Sequence, residues 1–190
     1  MPTQLENISL AADETFRLLR WVGSVNRVAV VCAGRARPIQ GHGDHWHYHR
    51  AMELTLIERG AGTRFVADHI ELFEAGDLVL IGSNVPHYWH SRGRSAGLSV
   101  QWDFPLDHGI WSFGETAAPL RALATSALRG LHLRGDTAIR VASAMAGGKG
   151  VRGKGVRRIF LLFLLPPDET YSLQATQMRK YSPDPFLSFL

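Results

Sequence analysis

From about Arg27 to Phe104 the chain consists of short runs in which apolar residues alternate with polar ones or β-branched residues cluster, separated by Gly, Asp and Asn. The runs are Val28 to Val31, Leu54 to Glu58, Thr63 to Val66, Ile70 to Phe73, Leu78 to Ile81, His87 to His90 and Leu98 to Phe104. So many strands at such close spacing predict a sandwich or barrel. The period then changes. Leu120 to Leu128 reads as a helix with Pro119 in its first turn and Gly130 at its end, and a second helix follows Asp136, a candidate N-cap, and runs to Ala146. A third apolar stretch, Val156 to Leu165, halts at Pro166-Pro167. The pattern therefore predicts a mainly β chain: a barrel with an N-terminal lead-in over residues 1–110, and a helical tail over 111–190 whose C-terminus is irregular.

Composition adds limits rather than detail. With 190 residues, 45% hydrophobic and 20% charged, the chain suffices for one good-sized core. Met1 to Arg20 carries Glu6, Asp13 and Glu14 with no basic segment leading into an apolar one, unlike a secretory signal, and Ile159 to Leu165 is too short to cross a bilayer. The single Cys32 fits a reducing, cytoplasmic setting. The net charge of +4 is local: Lys149, Arg152, Lys154, Arg157 and Arg158 stand together without an acid, and the rest of the chain is nearly balanced. Gly148-Lys149-Gly150-Val151-Arg152 is repeated at once as Gly153-Lys154-Gly155-Val156-Arg157. Gly155 stands where a phosphate loop needs Ser or Thr, so residues 147–158 read as a basic, Gly-rich linker.

Candidate chemistry lies between Gly41 and His90, which hold seven of the nine histidines. His47 and His49 are two apart, so on a strand both imidazoles project from one face and could share a metal. Glu53 offers an oxygen ligand, but a straight strand would carry it roughly 13 Å past His49 at ~3.3 Å per residue. Arg50 to Met52 must therefore turn the chain back. A third imidazole, His87, follows Pro86, which restricts the backbone on both sides and aims it. Three histidines and a carboxylate suit iron, manganese, nickel or zinc, with an unoccupied site as the alternative. By parity Trp89 shares a face with His87 and would line the interior, where an indole can stack on a planar or apolar ligand. His45 shares parity with His47, at a pocket mouth, while Tyr88 and His90 face away. On the last strand Ser99, Gln101 and Asp103 occupy one face and Leu98, Val100 and Trp102 the other; either could look inward. Arg64, Asp68 and Asp77 read as turn or rim residues.

Gly41, His47, His49, Glu53 and Gly60 fall at the spacings of the first cupin motif, and Gly76 with Pro86-His87 resembles the second, with Gly82 where that family often has proline and Ser91 where it often has asparagine. The stretch from His47 to Ser91, with the strand and helices that follow, is similar to the N-terminal sensor domain of AraC-type transcription regulators. That resemblance implies a double-stranded β-helix, jelly-roll-like barrel, a metal held by His47, His49, Glu53 and His87, and a small-molecule effector, with sugar the expected class, contacted by His45, Trp89 and Gln101. It also implies homodimerisation through the helical tail. Only 25 residues follow Leu165, too few for the family's paired helix-turn-helix units, so a regulator truncated before its DNA-binding part is expected, with no direct DNA binding and no membrane. A small metal-dependent cupin enzyme, an oxygenase, isomerase or decarboxylase, is the alternative.

Overall fold

A computed structural model describes residues 3–8, 16–23, 29–32, 35–39, 41, 43, 45–103, 114–147 and 175–177. Val156 to Leu165, the tandem repeat and the linker beyond Gly147 lie outside these. The strands are β1 (Gln4–Leu5), β2 (Phe16–Val22), β3 (Ala29–Cys32), β4 (Arg35–Pro38), β5 (His47–Tyr48), β6 (Met52–Arg59), β7 (Gly62–Val66), β8 (His69–Phe73), β9 (Leu78–Ile81), β10 (His87–Ser91) and β11 (Ala96–Trp102). After them come α1 (Gly114–Ala127), β12 (Leu131–Leu133), α2 (Gly135–Gly147) and β13 (Ala175–Gln177). They form two sheets, β1-β5-β10-β7-β8 and β13-β12-β9-β6-β11-β2-β3-β4. The fold is mainly β with two helices after the barrel strands, as the pattern predicts.

Every apolar run read as a strand is one, within a residue or two of its expected ends. Strands β1, β2, β4, β12 and β13 are not among the runs that the pattern predicts, and β5, which carries His47, ends at Tyr48. Three expectations for the tail are corrected. Helix α1 begins at Gly114, so Pro119 sits in its second turn at the cost of its own N–H bond, and Asp136 falls inside the first turn of α2 instead of capping it. The C-terminus, expected to be irregular, contributes β13, which pairs with β12.

Strand register decides where the core lies. In the larger sheet β11 runs between β6 and β2, and the cross-strand rows are Leu54, Val100 and Leu18 on one face and Glu53, Gln101 and Arg17 on the other. The apolar rows do not fill the barrel. Leu18, Leu54, Leu56, Leu98, Val100 and Trp102 pack outward with Leu131, Leu133, Val141 and Met145, beneath the helices. Strand β9 is apolar at every position because it is buried on both faces: Leu78 and Leu80 join that outer core, and Val79 and Ile81 join Val66 and Val85 inside. The main hydrophobic stabilisation therefore lies between sheet and helices, which leaves the barrel interior free to carry polar groups.

Gly82 is where the barrel meets α1. Its N–H donates to the Ala127 carbonyl at 2.8 Å, and a Cβ there would stand 2.7 Å from the Ala127 carbonyl carbon. Proline at this position would lose this bond and meet the helix backbone. Arg64 and Asp77, read from sequence as turn or rim residues, are buried. Arg64 is 0% exposed and bonds Asp77 at 2.7 Å, Glu71, and His132 Nδ1 at 3.1 Å, while His132 Nε2 donates to Asp77 at 3.0 Å. This charged cluster ties β7, β8 and β12 together. Among the described residues no helix is long and apolar enough to cross a membrane.

Candidate functional site

The turn required between His49 and Glu53 is present. Strand β5 belongs to the smaller sheet and β6 to the larger, and the bend at Arg50 and Ala51 moves the chain from one to the other. His49 Nε2 and Glu53 Oε2 are consequently 3.3 Å apart. His87 arrives from β10, directly opposite His47 on β5. The turn that delivers it, Gly82 to Val85, is held by the Asn84 N–H donating to the His49 carbonyl at 2.8 Å, so both halves of the cluster are fastened to each other through the backbone.

The three imidazoles lie within ring-centroid distances of 4.2 Å for His47 and His87, 4.9 Å for His49 and His87, and 5.9 Å for His47 and His49. Each Nδ1 is paired with a backbone carbonyl: His47 with His45 at 2.9 Å, His49 with Ala51 at 2.8 Å and His87 with Val85 at 2.8 Å. Since a carbonyl only accepts, each Nδ1 carries a proton, and the Nε2 of each ring in its neutral form presents a lone pair. One donor nitrogen from each ring lies within 4.8 Å of the others, and Nε2 of His49 and of His87 are buried without a hydrogen-bond partner. Buried lone pairs that converge and find no donor fit a divalent cation. Nitrogens bound at about 2.1 Å at tetrahedral or adjacent octahedral angles stand roughly 3.0–3.5 Å apart, so the rings must draw in by about 1–2 Å at most to share an ion. The histidine triad could hold such an ion.

Glu53 is anchored on all sides. Its carboxylate accepts from the Thr55 hydroxyl and, at 2.6 Å, from the Gln101 amide, whose carbonyl in turn accepts from Arg17 Nε at 2.8 Å. Thr55 also meets the Ser99 hydroxyl at 2.8 Å. These contacts follow from register, which sets Glu53, Gln101 and Arg17 side by side in one row and Thr55, Ser99 and Leu19 in the next. The Ser99 and Gln101 face of β11, left open by parity, is the one that looks inward.

Protonation follows from the same contacts. Burial alone would push the Glu53 carboxyl up, but His49, His87 and the Thr55 hydroxyl outweigh it and hold it well below the usual carboxylate range. Burial and the neighbouring imidazoles bring His87 down to about 3, and burial also lowers His47. His49 is raised, since Glu53 beside it overcomes the opposing effect of burial.

Over this floor opens a cavity of about 370 Å³ whose walls include Leu19, Trp21, Ile39 and Trp89, with His47, Glu53, His87, Thr55, Ser99 and Gln101 among its polar residues. The Trp21 ring lies across Gly97, where a Cβ would come within 2.4 Å of it. Trp89 shares its face with His87, as parity predicts, and its buried indole N–H has no hydrogen-bond partner. Tyr88 stacks on Phe65 and bonds His90 Nδ1 at 3.0 Å, yet both Tyr88 and His90 border the cavity, which parity did not anticipate. His45 is not among the cavity-lining residues; it stands edge-on to His47 and supports it through its carbonyl. His49 lies behind the lining. Sequence reasoning missed Glu6, Arg17, Leu19 and Trp21, which all belong to N-terminal strands or their ends. The alternation of Arg17, Leu19 and Trp21 was the available signal.

Residues 37–100 match the family model described as "Cupin domain". Among solved structures, the chain is similar to a cupin 2 conserved barrel domain protein from Rhodopseudomonas palustris, at 16% identity over 53% of this chain and 66% of that one, with a TM-score of 0.34. ToxT from Vibrio cholerae is similar at 12% identity over 78% and 54%, TM-score 0.43, and the AraC-like transcriptional activator CuxR at 11% over 65% and 46%, TM-score 0.39. The chain spans about half the length of those two. No curated protein matches it.

Proposed function

We propose, from the premise that residues 37–100 are a cupin domain, that this chain is the small-molecule-sensing domain of an AraC-type transcription regulator. The observation that carries the reading is the cavity itself: a space of about 370 Å³ with aromatic and aliphatic walls, over a polar floor whose groups already bond one another. Such a site favours holding a ligand in a fixed orientation over moving protons, because Glu53, Thr55, Ser99 and Gln101 are committed to a mutual network. Trp21 and Trp89 supply faces on which a sugar ring or another planar or apolar surface stacks. In this reading His47, His49, His87 and Glu53 hold a divalent cation, Trp89 and Gln101 border the effector, and His45 supports His47. The cation would supply an electrophilic contact for an effector oxygen. The chain acts in the cytoplasm as a homodimer through its helical tail.

The convergence of three imidazole lone pairs favours a second reading, a small metal-dependent cupin enzyme. Elemental mass spectrometry of the purified chain beside His47→Ala and His87→Ala tests the metal, with about one equivalent expected in the wild type and none in either variant. Tryptophan emission tests the sensor: saturable quenching by a member of a monosaccharide panel, with the sugar recovered intact, is expected. No response across the panel removes sugar as the ligand class. Conversion of the bound compound, or oxygen uptake by the iron-loaded chain, overturns the sensing reading in favour of the enzyme.

A further inference from the structure

A carboxylate from outside the two motifs reaches the histidine cluster. Strand β1 adds in parallel to the free edge of β5, Gln4 opposite His47 and Leu5 opposite Tyr48. The Gln4 N–H donates to the Trp46 carbonyl at 3.0 Å and the Glu6 N–H to the Tyr48 carbonyl at 2.9 Å. This register turns the Glu6 side chain into the cavity, where its Oε2 stands 3.5 Å from His47 Nε2 and its side chain is only 12% exposed. Little else holds the strand: it is two residues long, both are exposed, and Leu5 is 56% exposed. Hydrophobic burial therefore does not explain why the segment lies here.

Charge points the same way. Glu6 stands beside His47 and Glu53 beside His49, and the buried Arg17 beside Gln101 offsets one of the two. Sequestering the second carboxylate is unfavourable unless a positive charge joins it. The spacing suits a shared ion. Donor atoms bound at about 2.1 Å and set at tetrahedral or adjacent octahedral angles stand roughly 3.0–3.5 Å apart. The Glu6–His47 separation of 3.5 Å and the Glu53–His49 separation of 3.3 Å both match this.

We propose that Glu6 is a further ligand of the cation bound by the histidine cluster, and that this bond latches the N-terminal strand across the cavity. The cluster then reports its own occupancy: the same ion that completes the floor fastens a segment of the wall. This rests on the metal reading above and adds a ligand that neither motif contains.

The test titrates Co²⁺ into the full chain, wild type and Glu6→Gln, reading affinity from the visible absorption of the bound ion. Amide hydrogen exchange of residues 3–8 is measured with and without Co²⁺. In the wild type Co²⁺ slows exchange at the Gln4 and Glu6 amides; in Glu6→Gln affinity falls about 10- to 100-fold, the range of effects seen for groups that support a metal, and the protection at saturating Co²⁺ disappears. Equal affinity in the two proteins overturns Glu6 as a ligand. Wild-type binding without protection of residues 3–8 overturns the latch. If the wild type binds no Co²⁺, the metal reading itself falls and takes this one with it, an outcome distinct from the other two.

Discussion

Replacing His87 with asparagine should remove a specific part of the chain's sensitivity to acid. The amide nitrogen of asparagine occupies nearly the place of Nδ1 and keeps the donor to the Val85 carbonyl, so the turn at Pro86 is preserved while the titratable ring is lost. His87 is buried, and its folded value of about 3 lies below the ordinary imidazole value of 6.5. The sign follows. As pH falls below 6.5 the unfolded chain takes up a proton that the folded chain refuses, so stability present above 6.5 is lost progressively toward pH 3. Between pH 7 and 5 the folded ring stays neutral, so the ordinary imidazole value alone sets the size of the effect, about 2 kcal/mol. Urea unfolding at pH 7 and pH 5, in EDTA to keep the cluster free of metal, measures it. The wild type should lose about 2 kcal/mol more over this interval than His87→Asn does. Equal losses would refute the reasoning, because they would mean that the ring takes up its proton in the folded state as readily as in the unfolded one.

Three further outcomes follow from particular contacts. Arg64→Met leaves the buried Asp77 carboxylate short of its guanidinium partner and should lower the free energy of urea unfolding by about 3–5 kcal/mol; a loss under 1 kcal/mol would show that water or His132 satisfies Asp77 instead. Gly82→Ala places a methyl group against the backbone of Ala127 and should cost about 1–3 kcal/mol, read as a lower Tm, with faster amide exchange at residues 127–128 as α1 is pushed away. Gln101→Leu removes the donor to Glu53 and the acceptor of Arg17 Nε together, and should destabilise by about 2–3 kcal/mol in chemical denaturation while Glu53→Gln, Gln101→Leu combined costs less than the sum of the two single changes.

Much of the fold was legible along the chain because the period-2 alternation of β6, β7, β8, β10 and β11 and the continuous apolar run of β9 are local properties. So was most of the histidine cluster. The single residue between His47 and His49, and a proline before His87, constrain the backbone near each ring, and the distance from His49 to Glu53 demanded a bend that the structure supplies between its two sheets. Strand β2 was not legible in the same way. Phe16–Val22 suits a helix nearly as well as a strand, and only pairing with β11 settles it. Arg17 and Gln101, hydrogen-bonded to each other, are 84 positions apart.

The sequence by itself determined which residues alternate, where the chain must turn, and that three imidazoles and a carboxylate have the spacing to meet. Tertiary structure decided which face of each strand is the inside. An apolar face ordinarily marks a barrel's interior, but here Leu54, Leu98 and Val100 pack outward beneath α2 and its neighbours, so Glu53, Ser99 and Gln101 line the cavity. It decided, too, that β1 lies along β5 and carries Glu6 to His47. Alternation fixes two faces without saying what will cover either one. That depends on pairings between distant strands, whose closure entropy is recovered only when the whole barrel and its helices come together.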